Sequence, residues 1–443
     1  MKCVVIAAGQ GSRLRNKAKS KPLMPLLGIS LIERVIREAA RAGINEFCVV
    51  TGYKSGVLKS FLSDLSDRTG LKITSIDNHE WGETQNGASA LKARPFIEEE
   101  SFILLMCDHL FEHTIIRELL NHPPQKGEVV LVVDQNLSNV LVDLDDVTKV
   151  QEKEGKIVDL DKKLTDYNAF DTGIFYCSAE CFDVLERCRL NGETSLTAAM
   201  KSLAAKGKMR TMDIGGKFWI DVDDASSADK AEKALLCQLK GKNNDGSISR
   251  YFNRPISVQI TKWLVKKNIT PNQISLISFF ASVIAALFFM IGNYALLAIG
   301  GIIAQFASII DGCDGEVSRL KYSSSEYGGW LDSVLDRYAD SFLLFGLTLY
   351  AYQHASGSLS VLFIGFFAII GSFVLSYTAD KYDQRMQEKI QKGFHLRIGR
   401  DLRVFFILLF ALTNLVLTGL MIIALVMNAE VVRRLWVCQN DSS

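Results

Sequence analysis

The chain has 443 residues, which is too long for one ordinary domain and predicts two. Its formal net charge is +1, and no dense basic patch occurs in the first half, so a nucleic-acid partner is not expected. Residues 1 to about 250 mix charged and apolar side chains, whereas apolar runs long enough to cross a bilayer follow Gln273. We expect a cytosolic domain over 1–236, a linker over 237–249 and a membrane domain over 250–443.

The soluble half begins with a strand and a glycine-rich turn. Val4 to Ala8 is a short apolar run, and Ala8 to Leu14 follows it with two glycines and an arginine. In such a turn, backbone N–H groups approach phosphates closely, with a basic side chain nearby. An amphipathic helix from about Ile29 to Ala42 and a strand over Glu46–Thr51 come next. Strands and helices alternate up to about Leu236, which predicts a doubly wound α/β sheet.

A carboxylate stands at the end of another buried strand. Ile103 to Cys107 is apolar and ends on Asp108. The carboxyl ends of parallel strands form the crevice in which α/β sheets bind ligands. Asp108 is therefore a candidate ligand-binding residue, although a turn or helix cap also explains it.

Together the A-A-G-x-G-x-R-L turn, the Lys21-Pro22-Leu23 segment and Asp108 resemble the sugar-phosphate nucleotidyltransferase family over about residues 1 to 235. The resemblance implies a Rossmann-like domain in which a phosphate monoester attacks the α-phosphorus of a nucleoside triphosphate and pyrophosphate leaves. Positioning and charge neutralisation then carry the rate.

The same resemblance assigns roles to individual residues. The nucleotide would be bound by the turn at Ala8, Gly9, Gln10 and Gly11. Charge on the phosphates would be stabilised by Arg13 and Lys21. Mg²⁺ would be held by Asp108 and by a second carboxylate, for which we prefer Asp221 and keep Asp223 as a rival. Asn86 and Gly87 would read the base, and Thr172 and Gly173 would line the acceptor pocket.

A polar segment and a basic helix lead into the second half. Lys240 to Ser249 is polar and lacks periodicity, which is typical of a linker. Arg250 to about Asn268 mixes basic and apolar residues and predicts an amphipathic helix on the cytoplasmic membrane face. Thr270-Pro271-Asn272 is a helix-start signal for the first crossing.

Crossings are expected at about 273–291, 294–316, 328–352 and 359–379. Val404 to Met427 is either one long helix or part of a hairpin that breaks near Asn414. Lysines and arginines gather in alternate loops, so the positive-inside rule places these loops and the linker in the cytoplasm. Arg433 and Arg434 also belong in the cytoplasm by this rule, which requires an even number of crossings after Arg403. The total is then six crossings, up to about residue 436. The nine dispersed cysteines fit reduced, cytoplasm-facing thiols.

Four aspartates form the strongest pattern in the chain. Asp311 and Asp314 are three residues apart, and Asp332 and Asp336 are four apart, so each pair lies on one helix face. Carboxylates between apolar segments are costly unless they face a wet cavity and share cations. Such pairs suit two Mg²⁺ ions and phosphoryl transfer.

This segment resembles the signature of the CDP-alcohol phosphotransferase family, with Ser318 where that family usually has alanine. The resemblance implies an all-α, six-helix membrane domain that moves a phosphoalcohol group from a CDP-alcohol to another hydroxyl and releases CMP. The two Mg²⁺ ions would be held by Asp311, Asp314, Asp332 and Asp336, and Asp336 is also the candidate base. Nucleotide-binding positions would be Gly315, Ser318, Arg319 and Gly328, although Arg319 also suits a plain aspartate partner.

A basic set opens the fifth crossing, at Arg397, Arg400 and Arg403. It is either a positive-inside anchor or a pocket for an acceptor phosphate, which arginine binds in bidentate fashion.

The full arrangement resembles a family of bifunctional enzymes that join an inositol-1-phosphate cytidylyltransferase to a di-myo-inositol-phosphate phosphate synthase. It implies CTP, inositol 1-phosphate and CDP-inositol as substrates and intermediate, a product that serves as a precursor of a heat-stress solute, and a homodimer formed through the membrane domain. The protein would be a multi-pass protein of the cell membrane with both active sites in the cytoplasm. Two alternatives stay open: a lipid acceptor that yields a phospholipid headgroup, and a non-catalytic first domain that only senses CTP.

Overall fold

The computed structural model describes residues 1–14, 20–239, 248–390 and 399–440. The chain divides into two compact units, 1–234 and 235–443, with the division inside one helix. Residues 240–247 of the predicted linker and Arg397 lie outside the described residues.

The first unit is a Rossmann-type α/β structure. Its strands are β1 Lys2–Ala7, β2 Pro25–Leu26, β3 Ile29–Ser30, β4 Glu46–Thr51, β5 Lys72–Asp77, β6 Phe102–Met106, β7 His109–Phe111, β8 Val129–Asp134, β9 Lys149–Lys153, β10 Lys156–Asp161, β11 Ala169–Cys177, β12 Met209–Asp213 and β13 Trp219–Asp221. Its helices are α1 Leu31–Arg41, α2 Ser55–Thr69, α3 Asn86–Leu91, α4 Arg94–Ile97, α5 His113–Leu119, α6 Cys181–Leu190, α7 Leu196–Ala204 and α8 Ala225–Gln238.

The main sheet has nine strands in the order β5-β4-β1-β6-β11-β8-β12-β10-β9. β1 pairs in parallel with β4 on one side and with β6 on the other. β11 runs antiparallel to both β6 and β8, so the sheet is mixed. The chain goes from β1 outward to β4 and β5 and then returns to the other side of β1. This change of direction creates a crevice at the carboxyl ends of β1 and β6, where open α/β sheets bind ligands.

The predicted elements of this unit are confirmed in type and place. The expected strand at Val4 to Ala8 is β1, and the expected helix from Ile29 to Ala42 is α1, which is capped by Ser30. The sheet strands bury valine, isoleucine and leucine on both faces, and much of the core is therefore fully excluded from water. Burial at about 25 cal/mol per Å² of apolar surface is the main stabilising contribution.

The second unit is helical. After a π-helical turn over Ser249–Asn253 come α9 Arg254–Leu264, α10 Pro271–Met290, α11 Tyr294–Leu320, α12 Glu326–His354, α13 Leu359–Ile390, α14 Arg400–Thr413 and α15 Val416–Asn440. The predicted start signal is confirmed, because Thr270 caps α10 in a capping box with Gln273. The ambiguous terminal segment is a hairpin, because Asn414 has a φ of 57° and ends α14.

Four stretches in the described part of this unit are long and apolar enough to cross a membrane: Pro271–Met290, Tyr294–Leu320, Leu359–Ala379 and Val416–Gln439. The other two predicted crossings correspond to α12, which carries charged residues along its first half, and to α14, which has only 14 residues.

The helix that precedes the first crossing is shorter than predicted, and it buries its polar side. Glu316 of α11 is fully buried and accepts hydrogen bonds from Arg254 Nη1 at 2.7 Å, Ser257 Oγ at 2.6 Å and Thr261 Oγ1 at 2.7 Å. Trp263, on the other hand, is 60% exposed. This polar network fixes α9 against α11, because a buried carboxylate needs a charged and hydrogen-bonded partner.

Candidate active sites

The first unit has a cavity of about 500 Å³ at the carboxyl ends of β1 and β6. It is lined by the turn after β1, by Lys21 and by carboxylates from the ends of β6 and β13. Asp108, Asp221 and Asp223 all border it, as the sequence predicts for a ligand site. Their convergence follows from topology, because β13 pairs antiparallel with β7, which directly follows β6.

The glycine-rich turn holds a buried lysine. Gly11 has a φ of 57°, and a Cβ there would lie 2.3 Å from Cβ of Lys21. Glycine at this position therefore allows Lys21 to pass beneath the turn. Lys21 is 8% exposed and forms ion pairs with both Asp108 and Asp223. Burial alone would lower the lysine pKa, but the surrounding carboxylates raise it well above its usual value, so Lys21 stays charged.

Arg13 contacts two carboxylates that line this cavity. Its guanidinium is 2.7 Å from Asp146 and 4.0 Å from Asp223, and more than half of the side chain is exposed. The hydrogen bond to Asp146 is the main cause that raises the Arg13 pKa. An exposed, permanently charged guanidinium beside these carboxylates suits an anionic ligand such as a triphosphate.

Asp221 and Asp223 occupy different environments. Asp221 Oδ2 is 3.4 Å from His109 Nε2, whereas Asp223 pairs with Lys21. Although burial opposes it, His109 lowers the pKa of Asp221 to about 2. Burial and then the Asp221 charge raise the pKa of Asp223 to about 6. Neither residue caps α8, because Asp224 Oδ1 accepts the hydrogen bond from Ser227 N at 2.7 Å.

The first site fits a divalent cation. Asp108, His109 and Asp221 each offer one ligand atom, and these atoms lie within 4.8 Å of one another. Asp221 Oδ1 is buried and has no hydrogen-bond partner among the described residues. Converging carboxylate oxygens with an unused buried lone pair are a donor set that Mg²⁺ prefers.

The residues predicted to read the base and to line the acceptor pocket also make structural contacts. Asn86 borders the cavity, but its Oδ1 accepts a hydrogen bond from Leu196 N at 2.9 Å. A Cβ at Gly87 would lie 2.7 Å from the Ser195 carbonyl carbon. These two residues therefore join α3 to the start of α7. Thr172 Oγ1 donates to Val132 O at 2.8 Å inside the sheet, whereas Gly173 borders the cavity.

In the second unit the four aspartates of α11 and α12 come together. Ligand atoms of Asp311, Asp332 and Asp336 lie within 4.8 Å of one another. Asp332 Oδ1 is buried without a hydrogen-bond partner among the described residues. Asp314 Oδ1 accepts a hydrogen bond from its neighbour Gly315 N. The four carboxylates at adjoining helix faces fit divalent cations by the same chemistry as the first site.

Serines of α10 orient two of these carboxylates. Ser278 Oγ donates to Asp311 Oδ1 at 2.8 Å, and Ser275 Oγ donates to Asp314 Oδ2 at 2.5 Å. Both serines are nearly fully buried. Hydrogen bonds of this kind fix the rotamers of metal-binding carboxylates.

The predicted arginines Arg400 and Arg403 have different partners. Arg400 Nη1 lies 2.7 Å from Asp311 Oδ2 and 2.7 Å from Asp336 Oδ1, so it reaches the aspartates themselves. Arg403 is 4% exposed, and its Nη2 donates to Asp340 at 2.5 Å and to Ser376 at 3.2 Å. Arg403 is thus part of the helix packing, which the spacing of the basic residues does not reveal.

The nucleotide-binding candidates of this unit lie along the start of α12 and the end of α11. The Cβ of a residue at Gly315 would be 3.3 Å from Arg319 Nη1, and one at Gly328 would be 3.0 Å from Ser325 Oγ. Ser318 Oγ is 2.9 Å from Ser324 Oγ. A further cavity of about 180 Å³ is bordered by Asp311, Asp336, Arg254, Arg400 and Asp401.

Several residues that contact the two sites were not predicted from the sequence. His109 is directly next to Asp108, and the strand-end signal extends to it. The serines of α10 recur at helical spacing within an apolar helix, which is a readable signal for a polar face. Asp146 and Asp340 have no such pattern, because only the tertiary fold brings them to Arg13 and Arg400.

Comparison with known families agrees with this division. Residues 3–206 match the MobA-like NTP transferase domain family, and residues 268–433 match the CDP-alcohol phosphatidyltransferase family. A nucleotidyltransferase unit followed by a CDP-alcohol phosphotransferase unit defines a bifunctional transferase. The bifunctional IPC transferase and DIPP synthase of Aquifex aeolicus is 32% identical over 437 residues, which are 97% of this chain and 96% of that protein. The chain belongs to this family of bifunctional IPC transferases and DIPP synthases.

Two other proteins match part of the chain. The archaetidylinositol phosphate synthase of Pyrococcus horikoshii is 30% identical over 181 residues, which are 40% of this chain and 88% of that protein. The solved inositol-1-phosphate CTP transferase of T. maritima covers 52% of this chain and 93% of its own, with 23% identity and a TM-score of 0.47.

Proposed function

We propose that the chain carries out two consecutive reactions. The first unit transfers a cytidylyl group from CTP to inositol 1-phosphate, which gives CDP-inositol and pyrophosphate. The second unit transfers the phosphoinositol group of CDP-inositol to a second inositol 1-phosphate, which gives di-myo-inositol phosphate phosphate and CMP. The observation that carries the proposal is one chain with two separate carboxylate sites, one beside a phosphate-binding turn and one between apolar helices.

In the first reaction, a phosphate oxygen of inositol 1-phosphate attacks the α-phosphorus of CTP, and the bond to the pyrophosphate oxygen breaks. The backbone of the turn, from Ala8 to Gly11, binds the triphosphate. Lys21 and Arg13 neutralise charge on the transferring and leaving phosphates, since Lys21 lines the cavity and Arg13 lies 4.0 Å from Asp223, which also lines it. Asp108 and Asp221 hold Mg²⁺, which supplies further neutralisation of the phosphate charge.

In the second reaction, the acceptor hydroxyl attacks the phosphorus that carries inositol, and CMP leaves. Asp336 takes the hydroxyl proton. Asp311, Asp314 and Asp332 would hold two Mg²⁺ ions, with Asp336 as a further ligand in some states, and these ions would supply stabilisation of phosphate charge. Gly315, Ser318, Arg319 and Gly328 give the nucleotide space and contacts between α11 and α12.

The acceptor phosphate is assigned to Arg400. Its guanidinium borders the second cavity together with Asp311 and Asp336, so a phosphate bound there lies beside the reacting carboxylates. Arg403 acts through Asp340 instead, by holding the carboxylate that also accepts from Arg400 Nε at 3.1 Å. Arg397 completes the proposed set from outside the described residues.

The membrane arrangement is part of the proposal. Six crossings, α10 to α15, keep the linker, the aspartates and the final arginines on one side, and this side is the cytoplasm by the positive-inside rule. The short α14 and the charged start of α12 are compatible with six crossings if they lie within the bundle. We also propose a homodimer formed through these helices and a doubly wound arrangement of the first unit.

A product assay tests the acceptor. Detergent-solubilised protein with Mg²⁺, CTP and labelled inositol 1-phosphate is expected to yield pyrophosphate, CMP and a doubly phosphorylated di-inositol product, all visible by ³¹P NMR. The second candidate is a lipid acceptor, which the match of part of the chain to an archaetidylinositol phosphate synthase favours. If wild type stops at CDP-inositol and releases CMP only after lipid is added, the soluble acceptor is wrong and the lipid candidate replaces it.

A further inference from the structure

The residue after Asp108 faces the same carboxylates. His109 is the first residue of β7, and Asp221 is its direct partner across the antiparallel pair with β13. Because directly opposed residues project to the same side of a sheet, the register alone brings the imidazole to Asp221. His109 Nε2 is 3.4 Å from Asp221 Oδ2 and 3.9 Å from Asp108 Oδ1.

The other ring nitrogen is fixed by a bulge in β11. His109 Nδ1 is 2.7 Å from the carbonyl oxygen of Thr172, so Nδ1 carries the proton and donates it. The pairing of β11 with β8 shifts register between Asp171 and Phe175, and Asp171 Oδ1 accepts from Gly173 N at 2.7 Å. The bulge therefore points this carbonyl at the imidazole.

Gly173 makes this close approach possible. Its φ is 74°, and a Cβ there would lie 2.3 Å from His109 Nδ1. Any other residue would be strained and would push the ring away. The segment Asp171-Thr172-Gly173 is thus shaped to receive the imidazole and to leave Nε2 facing the two carboxylates.

We propose that His109 Nε2 is a third protein ligand of the divalent cation held by Asp108 and Asp221. The inference rests on the proposed function, in which these two aspartates bind the metal. Three observations support it: the candidate ligand atoms lie within 4.8 Å of one another, Asp221 Oδ1 has no hydrogen-bond partner among the described residues, and Nδ1 donates to a backbone carbonyl. Metal-binding histidines characteristically donate their second ring N–H to such an acceptor, which fixes the tautomer.

A nitrogen ligand changes which metals the site prefers. An imidazole nitrogen binds first-row transition-metal ions, with affinity rising from Mn²⁺ to Co²⁺, whereas Mg²⁺ prefers oxygen ligands and retains its waters. We therefore expect the first reaction to run with Mn²⁺ at least as well as with Mg²⁺. The second site offers carboxylates only, within the residues that the structure describes, and should not share this preference.

Pulsed EPR of Mn²⁺ bound to the tag-free full-length protein, without nucleotide, tests the inference. Wild type is expected to show modulation from a directly coordinated nitrogen. His109→Asn keeps a donor near the Nδ1 position but lacks Nε2, and His109→Gln carries an amide in place of the imidazole. Both variants should lose the nitrogen signal and the Mn²⁺ advantage in CDP-inositol formation, with thermal melts verifying that they fold.

Two results would contradict the assignment of His109 as a ligand. If wild type shows no nitrogen coupling, or if the coupling persists in His109→Asn and His109→Gln, His109 is not a ligand. A histidine that only braces β11 would instead leave His109→Asn with wild-type metal preference. Failure of wild type to form CDP-inositol with either metal would overturn the proposed function, which is a separate and distinguishable outcome.

Discussion

At the scale of single residues, Lys21 is the most constrained group of the first site. It is almost fully buried and paired with two carboxylates, and a Cβ at Gly11 would lie 2.3 Å from its Cβ. A buried lysine with such partners keeps its charge where a phosphate would bind. One of these carboxylates, Asp108, is a proposed metal ligand, and the other, Asp223, is its neighbour. When metal and nucleotide bind, the phosphates would therefore replace carboxylates as the partners of Lys21, and the lysine would stay paired.

Lys21→Met tests this role, since it keeps the length of the side chain and removes the charge. We expect CDP-inositol formation to fall by about 10²–10³-fold, the usual cost of losing one preorganised charged contact in a transition state. CMP release from supplied CDP-inositol should stay at the wild-type rate. Lys72→Met is the matched control, because Lys72 pairs with Glu46 on the exposed edge of the sheet. Equal loss in both variants would assign the effect to general destabilisation.

At the scale of elements, α10 prepares the second site although it contributes no carboxylate. Ser275 and Ser278 lie on one face of an otherwise apolar helix and bind Asp314 and Asp311, respectively. Ser282, one turn further along, donates to the backbone oxygen of Ser278 at 3.1 Å and contacts no carboxylate in the described part of the chain. The row of three serines thus contains two that orient carboxylates and one that does not.

We predict that Ser278→Ala lowers CMP release from supplied CDP-inositol by about 10–100-fold, because a carboxylate that loses its orienting hydrogen bond binds metal less well. Raising the Mg²⁺ concentration should restore part of the rate. Ser282→Ala changes the same helix face and removes no carboxylate contact, so its rate should equal that of wild type. A Ser278→Ala variant with wild-type rate and Mg²⁺ dependence would exclude this role for α10.

A second prediction concerns Asp171 in the bulge of β11 and the dependence of stability on pH. Burial raises the pKa of Asp171 to about 6, above the value of about 3.9 expected in the unfolded chain. The folded state therefore binds this proton more tightly, so the ionised carboxylate costs stability above the folded pKa, and this cost vanishes below the unfolded pKa. An asparagine side chain at this position would keep an acceptor for Gly173 N without the charge.

Asp171→Asn should accordingly raise the thermal midpoint of the first unit by a few degrees near pH 8, where about 1 kcal/mol corresponds to roughly 2–4 °C. The difference from wild type should shrink steadily as the pH falls below 6 and vanish below the unfolded pKa of about 3.9. Thermal melts of full-length protein at several pH values provide the measurement. A midpoint below that of wild type at pH 8 would mean that the charge of Asp171 stabilises the bulge.

At the scale of the whole molecule, the sequence predicts most features that depend on a regular or close spacing of residues along the chain. The strand–glycine turn, Asp108 and the four aspartates lie where their local patterns place them, because each pattern depends on residues close in the chain. Asp146, Asp340 and the Thr172 carbonyl escape prediction, because they reach their partners only through long-range packing. The amphipathic pattern of α9 is similarly ambiguous, since a polar helix face can contact water or, as here, a buried glutamate.

We propose that the two sites act independently and in sequence, so the loss of each site should stop a different reaction. Asp108→Ala and Asp336→Ala are assayed with CTP and labelled inositol 1-phosphate, each with and without added CDP-inositol. We expect Asp336→Ala to accumulate CDP-inositol without releasing CMP, and Asp108→Ala to form the di-inositol product only when CDP-inositol is added. Release of pyrophosphate from CTP by Asp108→Ala at the wild-type rate, or release of CMP by Asp336→Ala, would show that the two sites do not have these roles.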